Sequence, residues 1–364
     1  MDPVLIFGGC GNLGHHIVQQ LLESKEVRNV TVVDVRTDSN LVDGAKYIKG
    51  SVTSEEDVRT ALQQVRPRVI IDTISPQPMD NQNANTIYEE VNINGTRNLL
   101  DRIKEFEPGV IKAFIYTSSS SVVHNSSSDI VEGKEDMPLV FWPEQTEMYS
   151  HTKAVAETMV MKMNGENGVL VTALRGTTMF GEGDRMATPR FVETARAGRA
   201  KFQVGDGKNL FDFTYVGNTA YAHILAAKAL VKEADDPNAA AGPKKVNGEI
   251  FTITNDDHWP FWDFTRAIAA AAGHPVKKSE VWVVPSWLYY SSAMMAEWAI
   301  GLASFGTKEA SINRRMVKYL TMNRTFNIDK AKERLGYRPK WTMDEGIKRA
   351  VDWYLAQKPE KKKA

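Results

Sequence analysis

The chain has 364 residues, 42% of them hydrophobic, enough for one large or two unequal domains around a core that can enclose a cofactor and a substrate. Lysine plus arginine and aspartate plus glutamate stand at 45 each, leaving no net formal charge, which argues against nucleic acid as a partner and for a small molecule. The single cysteine, Cys10, excludes an internal disulfide, and Met1-Asp2-Pro3 leads into an apolar strand without a basic n-region or cleavage site, so a reducing, cytoplasmic compartment is expected.

In chain order, short apolar runs alternate with amphipathic stretches: strand 4–7, helix 14–22, strand 30–33, helix 55–64, strand 69–71, helix 87–103, strand 113–117, helix 149–163 and strand 169–174. That alternation predicts a parallel sheet with crossover helices, an α/β doubly wound Rossmann-type fold. After Arg175 it lapses into a loop containing Gly181-Glu182-Gly183-Asp184, and later helices are predicted over 261–272, 286–303 and 343–355. These read as a smaller, mainly helical substrate-binding region over 181–209 and 256–364. The cofactor-binding part is expected over 1–180, with 210–255 partly returning to it. Residues 235–245 read as a surface insertion and Lys361–Lys363 as a solvated tail. The apolar stretch 285–304 is long enough to reach across a bilayer. However, Glu297, Ser286, Ser291 and Ser292 interrupt it, and Trp287, Tyr289, Tyr290 and Trp298 are residues favoured at interfaces. It is expected to touch a membrane surface or a greasy substrate, with an ordinary buried cap helix as the alternative.

Immediately after the first strand comes Gly8-Gly9-Cys10-Gly11-Asn12-Leu13-Gly14. Glycines are required where a backbone must turn tightly, approach a pyrophosphate and let a helix start pack on a strand. The second strand ends at Asp34, about twenty residues on, as a dinucleotide fingerprint requires. A carboxylate there accepts bonds from ribose hydroxyls and repels a ribose phosphate, favouring NAD over NADP, while Arg36 softens that preference. A second constellation is Tyr149-Ser150-His151-Thr152-Lys153, whose spacing of four puts phenol and ammonium on one helix face. A phenol with a pKa near ~10 needs roughly 4 kcal/mol of electrostatic help to act as a base near neutrality. A hydroxyl from Ser118-Ser119-Ser120-Ser121 can hold a substrate oxygen against it.

The glycine loop, Asn92-Ile93-Asn94-Gly95-Thr96, the serine run and Tyr149/Lys153 together resemble the extended short-chain dehydrogenase/reductases along the whole chain. The resemblance implies Tyr149 as general acid/base, Lys153 as nicotinamide-ribose ligand lowering the tyrosine pKa, and Ser119 as positioner of the substrate hydroxyl, with Ser118 its nearest competitor. It also implies Asn92 behind the site, and Gly8, Gly11, Asn12, Leu13, Gly14, Asp34, Arg36, Ser51, Val52 and Ser75 along the cofactor groove. The segments 202–218, 222–227, 251–256 and 326–337 resemble the 3β-hydroxysteroid dehydrogenase branch, most closely the fungal-type sterol-4α-carboxylate 3-dehydrogenases that decarboxylate. Two departures stand out. Arg175-Gly176 replaces the usual Arg-Pro, and Ser51 replaces the acid that recognises adenine.

The resemblance thus implies NAD-dependent oxidation of a 3β-hydroxyl on a sterol-like 4-carboxylate, giving a β-keto acid that loses carbon dioxide without a metal. Arg185, Arg190 and Arg199 are considered for the carboxylate, each against its reading as an ordinary surface arginine. Alternatives are a dehydrogenase or ketoreductase of terpenoid or polyketide secondary metabolism, a nucleotide-sugar epimerase, and a non-catalytic NAD-binding regulator. The lysine tail fits a dilysine retrieval pattern, pointing to peripheral attachment on the cytosolic face of the endoplasmic reticulum. A homodimer is implied by resemblance alone.

Overall fold

A computed structural model describes residues 1–76, 84–236, 238–239, 242–305, 307 and 310–357; the lysine tail and part of the 235–245 insertion lie outside the described residues. Strands β1 (Val4–Phe7), β2 (Val30–Asp34), β3 (Lys46–Lys49), β4 (Val69–Asp72) and β5 (Ala113–Ser119) join Leu170–Gly176 and Glu249–Ile253 in one seven-stranded sheet. Every pairing is parallel, and the order is 249–253, 170–176, β5, β4, β1, β2, β3. A parallel sheet covered on both faces needs unbroken apolar runs, and all four residues of β1 are buried. Val4 and Ile6 pack on the face covered by α1 (Asn12–Glu23) and the helix Val216–Asp235. Leu5 and Phe7 pack on the other, under α2 (Glu55–Val65), α4 (Thr96–Glu105) and α5 (Met148–Lys162). The strand order reverses between β1 and β4, leaving a crevice at their carboxyl ends, where such sheets bind ligands.

The helix expected over 87–103 is instead three pieces: α3 (Ala84–Tyr88), a π-helical turn Glu89–Gly95, and α4. Periodicity alone could not show the wider turn. It seats Gly95 where a Cβ would lie 2.6 Å from Val52 Cγ1, and it buries Asn92; such π turns recur at functional sites.

A second sheet has four short strands, in the order Trp259–Pro260, Leu210–Phe211, Arg324–Phe326, Ile130–Gly133. Asp212 ties it together: one carboxylate oxygen accepts from Phe326 N at 2.7 Å and the other binds His258, which also pairs with Glu132. The helices Ala187–Arg196 and Phe261–Ala271 close over an aromatic core in which the Phe213 and Phe264 rings stack at 3.7 Å. The helix Ser286–Ala303 is not a buried cap helix: only Ala293 is buried, whereas Trp287, Met295, Trp298 and Leu302 are exposed. Among the described residues no helix is long and apolar enough to cross a membrane.

Candidate active site

The glycine loop lies at the switch point, held by Thr73, whose hydroxyl donates to Phe7 O and Gly8 O at 2.9 and 3.1 Å. Gly8 has φ +80°, a left-handed backbone that favours glycine. A Cβ on Gly14 would sit 2.3 Å from Gly8 O, so the helix can start this close to the strand only with glycine there. Gly11 caps α1 with no side-chain bond, and the first turn carries no acidic residue. The helix start therefore offers uncapped N–H groups and a positive dipole end to an anion. Asn12 Oδ1 is buried with no protein partner, and Leu13 packs in the core behind the loop. Asp34 ends β2 half-buried, accepting from Cys10 N and Arg36 N at 3.1 Å each, so the loop and this carboxylate are one unit. The Arg36 side chain is exposed beside it. After β3, Ser51 bonds to Thr53 while Val52 is buried and its carbonyl is held by Asn98. A dinucleotide fits these residues: cradle, helix start and carboxylate lie along one crevice.

The carboxyl end of β5 and the start of α5 meet beside that crevice. Tyr149 lies in the first turn of α5, its ring edge-on to Tyr88 at 5.8 Å. Burial pushes the Tyr149 phenol up from its ordinary range, while hydrogen bonding from the Ser119 and Ser75 hydroxyls and the charge of Arg324 pull it down. Ser119 and Ser118 diverge because successive strand residues point to opposite faces. Ser119 faces Tyr149, whereas Ser118 Oγ donates to Glu157 at 2.6 Å within the core. The structure thus separates the two competing serines. Lys153, one helical turn from Tyr149 and 1% exposed, donates to Thr117 O at 2.8 Å, Tyr116 OH at 3.2 Å and Ile74 O at 3.3 Å. Burial lowers its pKa to about 8, against the opposing influence of Asp72 and Glu157. Asn92 donates to Thr152 Oγ1 at 3.0 Å, fixing α5 from behind, and its Oδ1 is buried without a partner.

Sequence reasoning missed Asp72, Glu157 and Arg324. Asp72, at the end of β4 and 3% exposed, accepts from Ile74 N, and burial raises its pKa to about 6. A carboxylate ending an apolar strand at the switch point was the available signal. Glu157 and Arg175 form a buried bidentate pair, with bonds of 3.0 and 2.7 Å and side chains 1% and 3% exposed. Glu157 lies four residues after Lys153, on the same helix face. Arg324, from the second sheet, bears on Tyr149, and nothing in the sequence around it marked it. Arg185, Arg190 and Arg199 are all exposed. His223 is a core residue, bonded to Thr117 Oγ1 and Thr219 O and held neutral by burial at a pKa of about 4.

Two solved structures of similar fold are the UDP-glucose 4-epimerase of Thermus thermophilus in complex with NAD, at TM-score 0.67 and 20% identity over 96% of this chain and 98% of that one, and that of Thermotoga maritima with UDP-glucose, at TM-score 0.69 and 20% identity over 97% and 99%. At such identities they show the fold alone. The sterol-4-alpha-carboxylate 3-dehydrogenase, decarboxylating, of Saccharomyces cerevisiae is 36% identical over 362 residues, covering 97% of this chain and 98% of that protein. The enzyme of the same name from Mus musculus is 32% identical over 348 residues, covering 95% and 89%. With residues 5–285 also matching its family pattern, the chain belongs to the 3-beta hydroxysteroid dehydrogenase/isomerase family.

Proposed function

We propose that this protein is an NAD-dependent dehydrogenase that oxidises the 3β-hydroxyl of a sterol-like 4-carboxylate to a ketone, with loss of carbon dioxide. The observation that carries the reading is the convergence of Tyr149 and Ser119 beside the glycine cradle, in a chain similar over nearly its full length to decarboxylating sterol dehydrogenases.

When bound, NAD supplies the hydride acceptor. Ser119 holds the carbinol oxygen and Tyr149 takes its proton. Lys153, buried one helical turn from Tyr149, would bind the nicotinamide ribose by exchanging its longer bonds to Tyr116 OH or Ile74 O, and burial holds its pKa down at about 8. Oxidation leaves a ketone β to the carboxylate. The C4–carboxylate bond then breaks with its electron pair entering the ketone, carbon dioxide departs, and the enolate regains at C4 the proton that Tyr149 removed. The sum releases no net proton and needs no metal, because the ketone itself accepts the electron pair. Asp34 supports NAD over NADP, because a second carboxylate-facing phosphate would be repelled. The Michaelis constant for NAD is expected to be far below that for NADP; equal constants would overturn this preference.

Residues 1–180, with 210–255 partly returning, serve the cofactor and 181–209 with 256–364 the substrate; the return of Glu249–Ile253 to the main sheet supports this, while Ile130–Gly133 and Leu210–Phe211 pair in the second sheet. The exposed aromatic and methionine side chains of Ser286–Ala303 support peripheral contact with a bilayer surface, into which an apolar sterol substrate would partition. Flotation with neutral phospholipid vesicles that is lost on Trp287→Ser/Trp298→Ser tests it; equal flotation of both proteins would reject it.

The deciding experiment incubates the protein with NAD and a 4α-carboxy-3β-hydroxysterol, following NADH and product mass together. Ketone with loss of carbon dioxide supports the reading. No turnover by folded protein that binds NAD saturably would overturn the sterol assignment.

A further inference from the structure

Among the described residues Arg324 is a charged side chain without an acidic partner. Its strand is locked on both sides: it pairs with Ile130–Gly133 and with Leu210–Phe211, and Asp212 N donates to Arg324 O at 3.0 Å. The guanidinium is correspondingly fixed, with Nη2 donating to Ser120 Oγ at 3.4 Å and Cζ lying 5.7 Å from the Phe211 ring centroid. Among the described residues it makes no salt bridge. The carboxylate that bears on it, Asp212, is already engaged by His258 and by Phe326 N. Arginine is the side chain best suited to bind a carboxylate through two N–H groups, and a partly buried one is normally paired. None of its nitrogens is sealed from solvent without a bond, unlike Nε of Arg68, Arg102 and Arg196. The unspent donors therefore remain open to a ligand.

Its position relative to the chemistry gives that ligand a place. Ser120, which orients the guanidinium, follows directly on Ser119, and Ser119, Ser75 and Arg324 all bear on the Tyr149 phenol. A carbinol held by Ser119 and Tyr149 thus has Arg324 as its cationic neighbour, whereas Arg185, Arg190 and Arg199 are solvent-exposed.

Resting on the dehydrogenase reading above, we propose that Arg324 is the specificity-determining residue that receives the carboxylate carried one carbon away from the reacting carbinol, with Ser120 as its positioning residue. The pairing serves the oxidation step. It fixes the ring so that the C3 hydrogen faces the crevice, but a tightly paired carboxylate is stabilised against departure as neutral carbon dioxide, so Arg324 favours capture over bond cleavage. A family member acting on substrates without this carboxylate has no use for the charge.

The test compares wild type, Arg324→Gln and Arg324→Lys on a 4α-carboxy-3β-hydroxysterol and on the same sterol without the carboxylate, reading NADH. The readout is the ratio of kcat/KM for the two sterols, because any effect of the missing charge on the Tyr149 phenol is common to both and cancels. Arg324→Gln is expected to lower that ratio about 10- to 100-fold, the loss of a charge-assisted pair, and Arg324→Lys to recover part of it. Unaltered NAD binding and melting temperature accompany that result. An unchanged ratio, whether both substrates suffer equally or neither does, overturns the proposal. If wild type oxidises neither sterol, the dehydrogenase reading fails separately. Binding of the 4-carboxysterol in the presence of NAD, by equilibrium dialysis, still decides Arg324: carboxylate-dependent binding lost in Arg324→Gln supports the assignment, and binding indifferent to carboxylate or to Arg324 rejects it.

Discussion

The buried Glu157–Arg175 pair links the stability of the fold to the geometry of the site. Glu157 receives Arg175 Nε at 3.0 Å, Arg175 Nη2 at 2.7 Å and Ser118 Oγ at 2.6 Å, all within the core. Ser118 precedes Ser119, so the carboxylate anchors the end of β5 that presents the substrate-facing hydroxyl. Replacing it by glutamine leaves one carbonyl acceptor for three donors and an uncompensated guanidinium, whose remaining bond is to Glu135 O at 3.1 Å. Breaking a buried pair by removing one partner costs about 3–5 kcal/mol. Glu157→Gln should therefore lower the free energy of urea unfolding by that amount and reduce kcat through misplacement of Ser119, while NAD affinity is kept. Because desolvating both ions is itself costly, removing both charges with apolar replacements is less harmful than removing one. The double variant Glu157→Leu/Arg175→Met is thus expected to be more stable than either single variant. Urea unfolding followed by tryptophan fluorescence measures wild type, Glu157→Leu, Arg175→Met and the double variant, and a double variant that loses the sum of the two single losses would refute the reasoning.

Tyr149→Phe removes the proton acceptor while leaving the aromatic contact with Tyr88, so kcat should fall about 10²- to 10⁴-fold with NAD titration by fluorescence unchanged; retained turnover would exclude the phenol as base. Gly14→Ala places a Cβ 2.3 Å from Gly8 O and 2.6 Å from Gly9 Cα, both backbone, and should abolish saturable NAD binding or folding; normal binding would show that the loop does not need this close approach. His258 has a pKa raised to about 9, first by its bond to Asp212 and then by Glu132. Protonation is therefore favoured by folding. The stability it contributes is complete below about pH 6.5, its unfolded value, and is lost as pH rises through about 9. The urea-midpoint gap between wild type and His258→Asn should accordingly narrow from pH 6 to pH 9.5; a constant gap would mean that the proton is not linked to folding.

The main sheet was legible in the sequence because its determinants are local. Apolar runs such as Val4–Phe7 and 69–71, alternating with amphipathic stretches, read as strands buried on two faces, and a glycine loop between strand and helix with a carboxylate at the end of the next strand reads as a dinucleotide cradle. The spacing of Tyr149 and Lys153 likewise contains its own geometry, since one helical turn puts them on one face. Composition alone also carried the aromatic helix 286–303, although not how little of it would be buried. What tertiary structure alone decided depends on residues far apart in the chain. Strand pleating, not the serine run itself, turned Ser119 toward Tyr149 and Ser118 toward Glu157. The π turn at Glu89–Gly95 arises from the fit of Gly95 against Val52, which no periodicity encodes. Arg324 reaches the site through pairing with Ile130–Gly133 and Leu210–Phe211. Its charge matters only because those strands carry it beside Ser120, and a contact between segments this distant leaves no local pattern in either.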